Sequence, residues 1–253
     1  MEIQEAKNEE EQLISYIFEQ INNPVLEDKT FKEYLSKWGL QQSIRVQSFR
    51  FNQKYDDLSH IQFFKDFFND QAVKAGTGVY NSKTVQEIKL EKLKCTQVKL
   101  DMFQNLKEFD IVSGDNIKQC IPDYYEEIEI CTNLRQALLV EESEYWEAFT
   151  EEQRQEFLFK VFSLLYIGGG MCQYDDQLSV YLEWTKFLYK NLISARKDTE
   201  SENVFVESQV YEIKKVDDTL NTEKHPQNVF YVVINPSLRS VNALFSGENS
   251  WSS

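Results

Sequence analysis

Basic residues are outnumbered in this 253-residue chain: 27 Lys and Arg stand against 42 Asp and Glu, a formal charge of −15. A surface of that sign repels phosphate backbones and anionic lipid, which argues against nucleic-acid and membrane-surface binding. It suits solubility, or a partner rich in Lys and Arg. Histidine is scarcer still, with only His60 and His225. A two-histidine, one-carboxylate iron site usually starts from a close His-x-Asp/Glu pair, and His60-Ile61-Gln62 does not supply one. A zinc site would need both histidines plus remote ligands at no recognisable spacing. Cys95, Cys120, Cys131 and Cys172 form no CxxC pair, which points to a reducing compartment rather than a disulfide framework. No run approaches 18 apolar residues, so no membrane span is expected. The start, MEIQEAKNEEEQ, is acidic and polar, the opposite of a secretory or transit peptide.

What is present is core material. The hydrophobic fraction is 42%, with 18 Phe and 13 Tyr, and a chain of this length should bury roughly 70–75% of its unfolded surface. Periodicity predicts a helix over Glu11 to Ile21, and another opened by a Thr30/Glu33 capping box and closed at Gly39. Ile44 to Phe51 reads as a strand with a bulge near Ser48. Ser59 and Gln62 should cap an aromatic helix, and Ala75 to Gly78 reads as a loop. Cys95 to Phe103 alternates and predicts a half-buried strand.

Thr150 and Gln153 form a second candidate capping box, opening one helix from Glu151 to the glycine triplet Gly168, Gly169 and Gly170. A further helix is expected from Gln177 to Ala195, with Arg196 and Lys197 at its dipole-negative end. The last third changes period. Val204 to Val216, Val229 to Ile234 and Leu238 to Phe245 read as strands, the last two joined through Asn235-Pro236-Ser237, with a loop from Asp217 to Asn228. The expected fold is a single α+β domain over residues 1–253. Helices pack on mostly antiparallel strands, a C-terminal hairpin or meander ends the fold, and residues 1–10 and 246–253 form mobile tails.

Chemistry is hard to assemble from these residues. The glycine triplet follows a helix and precedes Met171-Cys172-Gln173-Tyr174, so it reads as a helix stop and tight turn, not a phosphate loop. Cys172 sits beside Asp175 and Asp176, which raise a thiol pKa rather than lower it. The densest feature is acidic: Glu141, Glu142, Glu144, Glu147, Glu151, Glu152 and Glu156, opposed within that stretch by Arg154. Such a run is a solvated face, a face neutralised within the fold, or a docking surface for a basic partner. The expectation carried forward is docking.

Several segments resemble one family. They are LRQALLVEESEYWEAF (Leu134 to Phe149), RQEFLFKVF (Arg154 to Phe162), GGGMCQYDD (Gly168 to Asp176) and YLEWTKFLYKNLISARKD (Tyr181 to Asp198). Upstream, IRVQSFRFNQ from Ile44 and CTQVKLDMF from Cys95 fit the same pattern. Together they resemble the cilia- and flagella-associated protein 300 family. The resemblance implies a non-enzymatic factor for building outer and inner dynein arms of motile axonemes, present in cytoplasm and cilium; the alternatives are a stable structural component of the axoneme and an enzyme with a cryptic pocket. Implied partners are other dynein assembly factors, axonemal dynein subunits and the intraflagellar transport machinery. It implies no catalytic residue, cofactor or metal.

Overall fold

The computed structural model of the chain describes residues 15–79, 83–169, 172–197 and 203–247. Within them the first elements are β1 (Phe18–Ile21), α1 (Lys29–Lys37), β2 (Arg45–Phe51), α2 (His60–Asn69), α3 (Gln71–Thr77) and β3 (Ile88–Leu93). A hairpin of β4 (Gln119–Tyr125) and β5 (Ile128–Thr132) follows, then α4 (Asn133–Leu139), α5 (Phe157–Ile167) and α6 (Leu178–Leu192). The last three are β6 (Gln209–Val216), β7 (Val229–Asn235) and β8 (Ser240–Ser246).

The main sheet is antiparallel, in the order β1-β2-β8-β7-β6, with β3 paired along the far side of β6. Helices cover both of its faces. Val210, Tyr231, Val233 and Leu244 point into one core with α5 and α6. Tyr211, Phe230, Val232 and Ala243 point into a second core with α2 and α3. Every residue of β7 is therefore buried, and its sequence VFYVVIN shows no alternation because neither face meets water. The α+β class read from the sequence is the class observed.

Tertiary pairing overrides local periodicity at several places. Of the helix expected over Glu11 to Ile21, residues 11–14 lie outside the described residues, and Phe18–Ile21 is strand β1 against β2. Tyr16 and Phe18 are buried while Ile17 between them is 63% exposed, a period of two. The strand expected over Cys95 to Phe103 lies upstream instead, as β3. Lys94 leaves the sheet to bridge Glu156, Val98 is exposed, and Asp101–Phe103 is a 3-10 turn. The sequence of β3, IKLEKL, hid the strand because charges occupy an edge position, as edges favour.

The same bridge breaks the helix expected from Glu151 to the glycines. Lys94 N donates to Gln155 O and Phe157 N to Lys94 O, so Glu151–Arg154 forms one turn and α5 starts afresh at Phe157. Ser48 makes no bulge, since β2 and β8 pair in unbroken register from Arg45 to Arg50. Its hydroxyl donates to Asn242, whose amide donates to Leu192 O at the end of α6, so the apparent break in alternation is a buried polar cap.

Ala75 to Gly78 is not a loop. Helix α3 runs through Ala75, Gly76 and Thr77, and Gly78 at φ +73° ends it. Asp28, not Thr30, caps α1 by accepting from Phe31 N, and Ser59 makes no cap bond to α2. Helix α6 stops at Leu192, so Arg196 and Lys197 belong to a strand, Ala195–Lys197, paired with Val204–Val206. That pairing also splits the expected strand Val204 to Val216 in two. Asp217 to Asn228 holds a short strand, Leu220–Asn221, and a 3-10 turn, Thr222–Lys224. Ser246, expected in a tail, ends β8 and is buried. Residues 1–10 and 248–253 lie outside the described residues.

Candidate interaction surface

The acidic band is built around a buried cation. Thr150 accepts from Gln153 N while the Gln153 side chain accepts from Thr150 N, so the expected capping box is present and fixes the Glu151–Arg154 turn. That turn directs Arg154 inward, where it is 7% exposed. One guanidinium nitrogen donates to Ala137 O at 2.8 Å and to Trp146 O at 2.7 Å. The guanidinium carbon lies 3.3 Å from the centre of the Trp146 ring, with Phe149 and Phe159 farther out. Burial lowers the Arg154 pKa to about 10, and Glu151, Glu141 and Glu147 push it back up. Three of the acids thus support a cation the fold has desolvated.

Glu141, Glu142, Glu144, Glu147, Glu151 and Glu152 all remain exposed. Glu156 does not join them, which corrects its place in the expected docking set. It is 4% exposed, and its carboxylate accepts from Thr96 N at 3.0 Å and Thr96 Oγ1 at 2.5 Å. Glu156 fastens the segment after β3 to the start of α5. The signal for Arg154 was present in sequence, as a lone cation between Trp146, Phe149 and Phe159. The signal for Glu156 was not, because its partner lies 60 residues away.

The glycine turn has a structural task. Gly168 ends α5 at φ +68°, and a Cβ there would stand 2.7 Å from both Cys172 Sγ and Trp38 O. A Cβ on Gly169 would stand 2.1 Å from Gly39 O. Gly169 N donates to Trp38 O and Gln173 N to Lys37 O, so the turn lies directly on the end of α1. Asp175 completes the joint by accepting from Trp38 Nε1 at 2.8 Å and from Lys37 Nζ. Gly170 lies outside the described residues.

The residues weighed for catalysis are engaged elsewhere. His60 stacks on Tyr211, and His225 holds Glu126 O through Nε2. Burial pushes the thiols of Cys172 and Cys95 up to about 12, which keeps both protonated near neutral pH. Among the described residues no cluster of His, Cys, Asp and Glu is arranged to hold a metal ion, and no helix is long and apolar enough to cross a membrane.

Comparison with known proteins decides the family. The family model described as "Cilia- and flagella-associated protein 300" matches residues 15–246. The chain belongs to that family. A relative of the same name from Paramecium tetraurelia is 44% identical over 240 residues, covering 94% of each chain. Another, from Chlamydomonas reinhardtii, is 30% identical over 236 residues, covering 87% of this chain and 92% of its own. No solved structure matches. The family match takes in both cores, the glycine turn and the whole acidic band, so the band lies within the body of the family fold. The family is named for its association with cilia and flagella, and its name is not that of an enzyme family.

Proposed function

We propose that this chain is a non-enzymatic adaptor that works in the cytoplasm and the motile cilium. It helps to assemble outer and inner axonemal dynein arms and to deliver them by intraflagellar transport. Its proposed partners are dynein subunits, other assembly factors and the transport machinery. Membership of a cilium- and flagellum-associated family supports the setting. The single observation that carries the adaptor reading is the band of six exposed glutamates held in fixed shape around Arg154. The capping box, the Trp146 stack and two carbonyl acceptors define where those charges stand, which free loop charges would not be. A fixed anionic face favours fast, salt-sensitive association with a basic one.

The test is removal of the protein from its ciliated cell, followed by electron microscopy of axonemes and detergent fractionation of normal cells. The reading predicts axonemes without outer and inner arms, and a protein found mainly in the detergent-soluble fraction. Intact arms would overturn it. Retention of the protein in the salt-washed axoneme would instead favour a stable structural component.

A further inference from the structure

The two strands of the β4–β5 hairpin meet different surroundings. β5 alternates, with Ile128 and Ile130 buried and Glu129 exposed, because one of its faces packs on the body of the protein. β4 does not alternate. Ile121 is 89% exposed and Tyr124 72%, and Pro122 and Asp123 between them are exposed as well. Among the described residues β4 pairs with β5 and with no other strand, so its outer edge is open. Large apolar groups beside a free strand edge invite association unless something covers them. Pro122, which lacks an N–H, and the register shift between Gln119 and Asp123 spoil that edge for a regular added strand. They leave the side chains of Ile121 and Tyr124 in water.

The ribbon is held in one place at both ends. Its tip, Glu126-Glu127, has φ of +44° and +69°, the left-handed backbone that a two-residue hairpin turn needs and that Asn or Gly normally supplies. Glutamate there is strained, and it sets two carboxylates at the end of the ribbon. His225 Nδ1 accepts from Gln227 N, so Nε2 carries the proton and donates to Glu126 O, tying down the tip. At the other end Gln136 of α4 bonds both Cys120 and the Ser143 hydroxyl, which joins the ribbon to the acidic band.

Charge selects what can cover this surface. No Lys, Arg or His occurs between Lys118 and Arg135. Lys118 pairs with Asp110, and Arg135 is turned inward onto Glu129 O and Ile167 O. Asp123, Glu126, Glu127 and Glu129 are all exposed. A second copy of this chain would bring the same four carboxylates together, and an anionic lipid surface would be repelled. We propose that the exposed side of the hairpin binds a Lys/Arg-rich segment of a partner protein that also carries apolar side chains. The apolar groups cover Ile121 and Tyr124 while the cations reach the four carboxylates, and the Tyr124 ring offers a face to one of them. This deepens the adaptor reading, on which it rests for the existence of a basic partner.

Two short peptides test it, one alternating arginine with leucine and one alternating arginine with serine. Each is titrated into the full chain and followed by amide NMR shifts. The leucine peptide should give saturable shifts from Ile121 to Glu129 and bind about ten-fold tighter than the serine peptide. Replacing Ile121 and Tyr124 together by Ser should leave the melting temperature unchanged and abolish that preference. Asp123→Asn with Glu127→Gln and Glu129→Gln should weaken both peptides and flatten their salt dependence. Equal binding of the two peptides, a leucine preference kept by the Ser variant, or shifts that avoid the hairpin would overturn the proposal. Shifts confined to Glu141 through Glu147 would overturn it while leaving the adaptor reading in place. Intact dynein arms after removal of the protein would overturn that reading while leaving the peptide site in place.

Discussion

Between Ile121 and Glu156 the chain has two basic side chains, Arg135 and Arg154, and the fold turns both inward. Arg135 is 1% exposed, donates to Glu129 O and to Ile167 O at the end of α5, and lies over the Tyr174 ring. Arg154 does the same work for α4 and the Trp146 turn. The surface of this stretch is therefore left to the acids. Planarity is what allows an arginine to stack and bond carbonyls at once, and lysine lacks it. Arg154→Lys should cost about 1–3 kcal/mol of unfolding free energy, read by urea denaturation. Unchanged stability would mean that the stack does not anchor the band.

At the scale of elements, the helices α5 and α6 and the glycine turn between them form the middle of the larger core. Phe162 is fully buried, with its ring 4.5 Å from that of Phe103 and stacked on Tyr166. Phe162→Ala should destabilise by about 3–5 kcal/mol through lost burial and the cavity left behind. An unchanged melting temperature would contradict that packing. Gly169→Ala should cost about 1–3 kcal/mol or more, because the added methyl meets the Gly39 carbonyl, a backbone atom that has little room to move. Wild-type stability in the same denaturation assay would contradict the close approach.

These two helices, the β7–β8 hairpin and the Thr150 capping box were legible because their signals are local: apolar spacing, a turn dipeptide, a box three residues long. β1, β3 and the break before Phe157 were not legible. Each exists because a partner strand or a bridging backbone group arrives from far away in sequence, as Lys94 does at Gln155 and Phe157. The acidic band was legible as composition, but its division into six outward acids and one inward acid depends on Thr96.

At the scale of the whole molecule, a net charge of −15 is spread over a chain whose sheet is covered by helices on both faces. Family membership sets the protein at cilia and flagella. The central claim is that the fixed acidic face is where a basic partner docks. Its most direct test replaces Glu141, Glu142, Glu144 and Glu147 by Gln, leaving the Thr150–Arg154 turn intact. The variant and the normal protein are then affinity-purified from cells regenerating cilia, across a series of salt concentrations. The account predicts that the variant folds, recovers less dynein subunit and assembly factor at low salt, and loses most of its salt dependence. The same partners, in the same amounts and with the same salt dependence, would contradict it.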